Sequence, residues 1–189
     1  GLSFTLDQLL GIQENSSRTP DFLGIEIKST RITRRGAQPR TRTTLFAQTP
    51  DWSRSALDAV GLLTTYGYRN DTGRLQLYCT LNPTPNSLGL FLVIDDRSDN
   101  LDARYRPTAG PDRDAVIWGL AKLRAVLRAK HRQTAWVKAE CRGSGANEEF
   151  RYVEVGLTQH PIASNLTPLL VSGAITVDLL MHELPTSRG

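Results

Sequence analysis

The sequence predicts an α/β protein in which a mixed β-sheet is flanked by helices. Three observations predict it. Ile25, Glu26, Ile27 and Lys28 alternate apolar with charged, the period-two pattern of a half-buried strand. Further strand-like runs lie at 75–81, 88–94, 134–141, 150–155 and 175–179. Helical spacing recurs at Leu6, Leu9 and Leu10, at Ala56, Val60 and Leu63, and from Val116 to Leu127.

Taken in order, Thr5 reads as an N-cap, with Gln8 three residues on as a capping box. Asp7 then falls in the first helical turn, where the helix dipole favours a carboxylate. A polar turn from Gln13 to Pro20 leads to Asp21, and Gly24 bends the chain into the alternating strand. Alternation sends Ile25 and Ile27 to the core and Glu26 and Lys28 out together on the opposite side. Gly36 and Pro39 break any helix in the arginine-rich stretch that follows, so it reads as a hairpin or loop, with Thr43–Ala47 as the return strand. Pro50-Asp51 reads as a turn ahead of a helix at Ala56–Thr65, because no acid-x-lysine follows it on a strand.

The runs at 75–81 and 88–94 are strands on either side of a Pro83/Pro85 turn. Asp95, Asp96, Asp99 and Asp102 lack the mid-loop glycine and closing glutamate of a calcium loop and read as a polar turn. Asp112 or Asp114 caps a helix to about Lys130, with Lys122, Arg124, Arg128 and Lys130 solvated. Thr134–Cys141 and Phe150–Val155 form a hairpin, and a last strand from Ile175 through Leu179 ends at His182.

A chain of 189 residues is one domain, or two lobes sharing a core, and buries a sizeable interior. It opens on Gly1, which is compatible with a fragment of something longer. No run of eighteen apolar residues and no basic-apolar leader occurs, so no membrane span is expected. Cys79 and Cys141 sit in apolar runs and read as reduced core residues of a cytoplasmic protein. The absence of Cys-x-x-Cys, His-x-x-x-His and HExxH argues against zinc, and that of G-x-G-x-x-G and Walker A against a nucleotide cofactor. The net charge of +4, carried mostly by arginine, favours an anionic partner.

Chemistry concentrates at 19–29. Asp21, Glu26 and Lys28 converge on one point if the strand forms, and two carboxylates suit Mg²⁺, which binds few protein ligands and keeps waters for substrate phosphate. The Ile27 carbonyl between Glu26 and Lys28 is a third candidate ligand. A lysine beside such an ion orients the attacking water or screens phosphate charge. A surface ion pair at i, i+2 beside an unrelated turn aspartate gives the same letters. Lysine is nevertheless scarce, only Lys28, Lys122, Lys130 and Lys138 in the whole chain, which singles out Lys28. Arg31, Arg34, Arg35, Arg40 and Arg42 follow with no acid between Ser29 and Pro50, a charge run suited to backbone phosphates. Lys138, Glu140, Arg142, Arg151 and His160 are candidates for reading base edges, arginine and lysine on guanine and glutamate on cytosine; ion pairs across a surface hairpin explain the same residues.

The phrase Thr5-Leu6, Leu9-Leu10-Gly11-Ile12, Asn15, Pro20-Asp21, Gly24, Glu26 and Lys28 resembles the MvaI/BcnI family of type II restriction endonucleases. That family is related to the mismatch-repair nicking endonuclease within the PD-(D/E)XK superfamily. Its members show a TLE-x-LLGI helix and then PD-x-x-G-x-E-x-K; Asp7 stands here where the family has glutamate. The resemblance implies a restriction-endonuclease-like fold, two lobes around a DNA cleft with the smaller at about 55–110, and Mg²⁺-dependent hydrolysis of double-stranded DNA. It further implies a monomer that reads a CC-N-GG type site and nicks the strands in turn, with Asp7 holding a second ion or an outer-shell water. Two other readings remain open, a repair-type nicking endonuclease and a DNA-binding module without catalysis.

Overall fold

The computed structural model describes residues 1–12, 20–33 and 42–184. In chain order its elements are α1 (Leu2–Leu9), β1 (Glu26–Ile32), α2 (Ala59–Tyr66), β2 (Tyr68–Arg69), β3 (Leu75–Leu81), β4 (Leu90–Asp95), β5 (Asn100–Tyr105), β6 (Arg113–Gly119), α3 (Leu120–Lys130), β7 (Gln133–Arg142), β8 (Glu149–Gln159), α4 (Leu166–Val171) and β9 (Val177–His182). They fall into two compact units, Gly1–Ala47 with Ala125–Ala163, and Gln48–Arg124 with Ser164–Gly189. The division falls within α3.

The first unit is built on the mixed sheet β1-β7-β8. β1 runs parallel to β7, and β8 returns antiparallel as a hairpin arm. Ala135, Val137 and Ala139 of β7 are buried, alternating with half-buried Trp136, Lys138 and Glu140, and the hairpin expected from Thr134–Cys141 and Phe150–Val155 is present. Leu2 and Leu6 of α1, Ile32 and Leu127 are buried in the same unit, each such side chain contributing about 1.5–3 kcal/mol. The second unit holds two antiparallel sheets, β2-β3-β9 and β4-β5-β6. Its core includes Leu62, Leu77, Leu81, Leu90 and Leu101, each essentially inaccessible.

Several elements differ from expectation, each for a local reason. The helix expected from Asp112 or Asp114 begins only at Leu120, because Arg113–Gly119 is strand β6, paired along β5. Val116, Leu120, Leu123 and Leu127 share helical spacing, yet Ala115, Val116 and Trp118 are buried as strand residues. The polar turn expected through Asp102 ends earlier: Asp96 and Asp99 lie in the turn, but Asp95 closes β4 and Asp102 is 6% exposed inside β5. Its carboxyl is pushed up by burial, against the pull of Arg104 at 3.0 Å.

Near the N-terminus α1 starts at Leu2 with Gly1 as its cap, so Thr5 is internal, bonding back to the Gly1 carbonyl at 3.2 Å, and Asp7 lies beyond the first turn. α2 starts at Ala59 because Asp58 caps it, accepting from the Gly61 amide at 2.7 Å; Leu62 and Leu63 are buried while Val60 faces solvent. Thr43–Ala47, expected as a return strand, has no regular secondary structure. Cys141 is exposed at the end of β7 and Cys79 half-buried, both as free thiols. No described helix is long and apolar enough to cross a membrane.

Candidate active site

The site begins with a tight turn. Phe22 and Ile25 bond to each other through both amides, at 3.0 and 2.8 Å, around Leu23 and Gly24 at φ 50° and 83°. Two consecutive positive φ values make this the hairpin turn whose twist matches the flanking strands, and Gly24 adopts its half without steric cost. The reversal lays Asp21 back along β1, where its Oδ2 accepts from the Ile27 amide at 3.1 Å. Asp21 is thereby held beside the segment that carries Glu26 and Lys28.

Glu26 and Lys28 do share a face, as alternation requires, and Lys28 Nζ lies 2.7 Å from Glu26 Oε1. That face is not the solvent side. Glu26 is 0% exposed, whereas Ile25 and Ile27 are only half-buried. The reason is α3, whose last residue Lys130 reaches over the face and brings its Nζ to 3.4 Å from the same Oε1. Lys130 is thus part of the site rather than a solvated helix lysine. Both lysines approach Oε1, and among the described residues Oε2 has no hydrogen-bond partner, so a buried carboxylate keeps hydrogen-bonding capacity unspent. A buried acceptor left so costs about 1–3 kcal/mol, more when charged.

Next to Lys130, His131 forms a buried clamp. Its ring nitrogens meet Thr134 Oγ1 at 3.0 Å and the Leu45 carbonyl at 2.8 Å, and its plane stacks on Trp136 with centroids 6.1 Å apart. A carbonyl only accepts, so Nε2 carries the proton and Nδ1 accepts from the threonine hydroxyl. Thr134 lies opposite Glu26 in the β1–β7 register, and Trp136 opposite Lys28. The clamp therefore joins the end of α3 and the segment around Leu45 to the strand next to Glu26.

Burial holds the His131 pKa below its ordinary value, opposed by the Leu45 bond and the charge of Glu26. The unfolded chain therefore binds this proton more readily than the folded one. The resulting stability is fully present above about pH 6.5 and is lost as pH falls through the depressed folded value. We expect urea midpoints to fall between pH 7 and pH 5.5, with His131→Phe removing that slope whatever its effect on absolute stability. An equal slope in both proteins would show that other groups set it.

The remaining expected residues are placed as follows. Asp7 lies within electrostatic reach of Tyr152 on β8, whose phenol is raised first by burial and then by that carboxylate. Among the described residues no three Asp, Glu, His or Cys side chains gather at ligating distances, so Asp7 does not join Asp21 and Glu26 in such a cluster. Arg31 pairs with Glu148 at 2.6 Å and lies over the Phe150 ring. Across the β7–β8 hairpin, Lys138 pairs with Glu154 at 2.8 Å, Arg142 with Glu149 at 3.1 Å, and Glu140 with Arg151. Ion pairs between the hairpin arms thus occupy Lys138, Glu140, Arg142 and Arg151. His160 is exposed at φ 53°, just past the end of β8. Arg42 is exposed, and Arg34, Arg35 and Arg40 lie outside the described residues.

Sequence reading missed Lys130, His131 and Thr134. The one available signal was lysine scarcity, since Lys130 is one of only four.

The model of the MvaI/BcnI restriction endonuclease family matches residues 1–188. The chain belongs to that family. MvaI/BcnI enzymes are type II site-specific deoxyribonucleases, and this chain is one by membership. Among solved structures it is similar to the restriction endonuclease MvaI in complex with its cognate DNA substrate, with a TM-score of 0.79 at 21% identity, over 100% of this chain and 76% of that one. It is also similar to MvaI in the absence of DNA, with a TM-score of 0.61 at 21% identity, over 89% and 69%. At such identity the likeness establishes the fold, an α/β arrangement of the MvaI type. No curated protein matches the chain.

Proposed function

We propose that this MvaI/BcnI family member is a Mg²⁺-dependent endonuclease that cuts double-stranded DNA at a short CC-N-GG type site, with Asp21, Glu26 and Lys28 as its catalytic set. The observation that carries this reading is Glu26: a fully buried carboxylate with lysine on Oε1 and, among the described residues, no hydrogen-bond partner on Oε2. Burying an ion without full compensation is expensive, and a site that bears this cost is built to meet a cation or an anion in turn. The donor set fits a hard divalent ion, with Asp21, Glu26 and the Ile27 carbonyl as its protein ligands. When bound, the ion supplies charge stabilisation to the phosphate and acidity to a bound water.

The chain's own residues do the rest. Asp21, fixed on the Ile27 amide, and Glu26 orient the ligand oxygens. Lys28 places its ammonium where it holds the attacking water in line with the scissile bond and screens the phosphate charge. Water oxygen attacks phosphorus, the 3′ oxygen leaves and takes up a proton, and the products are a 3′-hydroxyl and a 5′-phosphate. Asp7 is assigned an outer role, on a water rather than directly on the ion. Arg31, Arg34, Arg35, Arg40 and Arg42 contact backbone phosphates, and Lys138, Glu140, Arg142, Arg151 and His160 face base edges. For the hairpin set this requires the ion pairs to open or to present their unused donors to DNA. A monomer has one such site, so the strands are cut in succession.

Incubation with supercoiled plasmid, in Mg²⁺ and in EDTA, followed by sequencing of the ends tests the reading. Mg²⁺-dependent fragments sharing one interrupted CC/GG motif are expected, with nicked circles as the transient intermediate. Nicked circles as the end point would replace this reading with a repair-type nicking enzyme, and plasmid bound but left intact with a non-catalytic module.

A further inference from the structure

Two lysines meet one carboxylate oxygen in the first unit. Lys28 Nζ is 2.7 Å and Lys130 Nζ 3.4 Å from Glu26 Oε1, all three side chains being largely buried. One ammonium suffices to neutralise one carboxylate. A second, crowded against the first, adds repulsion in a weakly screened setting, so its presence calls for a reason. Lysine also matters here as a type. The chain uses arginine for most of its positive charge, yet places lysine at 130, after Arg124 and Arg128 on the same helix. An ammonium is a compact point charge that can sit on one oxygen, whereas a guanidinium fork tends to span both.

The two lysines are anchored differently. Lys130 ends α3, where the exposed carbonyls favour a cation, and the next residue is locked by Leu45, Thr134 and Trp136. Lys28 stands on β1, which pairs only with β7 among the described residues. If Lys28 is to act on water or phosphate it must leave Glu26, and a buried carboxylate stripped of its partner is strongly destabilising.

We propose that Lys130 is a positioning residue of this site, a resident counter-charge that keeps Glu26 neutralised on Oε1 and so releases Lys28 for the phosphodiester. The inference rests on the catalytic assignment of Glu26 and Lys28 given above. It makes a prediction that a structural role does not. Removing Lys130 lowers the positive charge around Glu26, so a divalent ion binds more tightly; it also leaves Lys28 as the only lysine on Oε1, so cleavage slows.

The test compares wild type, Lys130→Met and Lys28→Ala. Mg²⁺ affinity is measured by titration calorimetry without DNA, and single-turnover cleavage in saturating Mg²⁺. For Lys130→Met we expect Mg²⁺ to bind roughly tenfold more tightly and cleavage to slow by about a hundredfold or more. Loss of both metal affinity and cleavage would overturn the proposal in favour of a packing role, and so would unchanged cleavage. Lys130→Gln carries the same comparison if the methionine variant does not fold. Cleavage retained by Lys28→Ala sinks the catalytic assignment itself, whereas an inactive Lys28→Ala beside a fully active Lys130→Met sinks only the role of Lys130.

Discussion

Lys28→Ala is expected to bind cognate DNA in Ca²⁺ as wild type does and to lose cleavage in Mg²⁺ by about a thousandfold or more, the range reached when a group acting mainly in the transition state is removed. The variant should fold. Lys28 is 16% exposed on a strand whose ladder does not depend on its side chain, and Glu26 keeps Lys130 at 3.4 Å as a counter-ion. What disappears is the one ammonium on β1 able to turn from Glu26 to a phosphate or its attacking water. Lys122→Ala, an exposed lysine on α3, serves as the control and should cut normally. Retained cleavage in Lys28→Ala would remove lysine from the mechanism and with it the assignment of this strand as the active site.

Why the placement of Asp21, Glu26 and Lys28 on one short segment could be read from letters alone, and its surroundings could not, follows from distance along the chain. Asp21, Glu26 and Lys28 lie on one turn and one strand, so local rules suffice: a glycine that permits the turn, then alternation that puts glutamate and lysine on one face. The burial of that face is not a local property. It depends on a parallel pairing of β1 with β7 and on a helix end more than a hundred residues away, and neither leaves a periodic trace near residue 26. The same limit explains the β6–α3 junction, where Val116 and Leu120 continue one helical spacing across a strand-to-helix boundary. It also explains Asp102, whose charge reads as a turn until its strand neighbours are known. The hairpin illustrates the opposite case. Lys138, Glu140, Arg142 and Arg151 were legible as a charged face, but only the register, with Lys138 opposite Glu154 and Glu140 opposite Arg151, determines that they pair with one another.

The double substitution Glu26→Met/Lys28→Met should separate stability from function most sharply. Cleavage is expected to be lost, and the protein to become more stable by about 1–2 kcal/mol, because replacing a buried ion pair with apolar side chains of similar volume is commonly neutral or stabilising. The present pair is a poor stabiliser on its own geometry. Glu26 has surrendered all its water, yet among the described residues its Oε2 has no hydrogen-bond partner, and two ammonium groups repel one another beside Oε1. Methionine fills the same space with a flexible apolar chain, and Lys130, 17% exposed, can turn its ammonium to solvent. Urea unfolding at pH 8 is the measurement, taken above the range in which His131 takes up its proton. A loss of more than about 1 kcal/mol would mark the charges as structural glue, the result expected when a buried network is well satisfied. A gain in stability with cleavage abolished would mean that Glu26 and Lys28 are retained at the expense of the fold, which is the physical signature of residues kept for their chemistry.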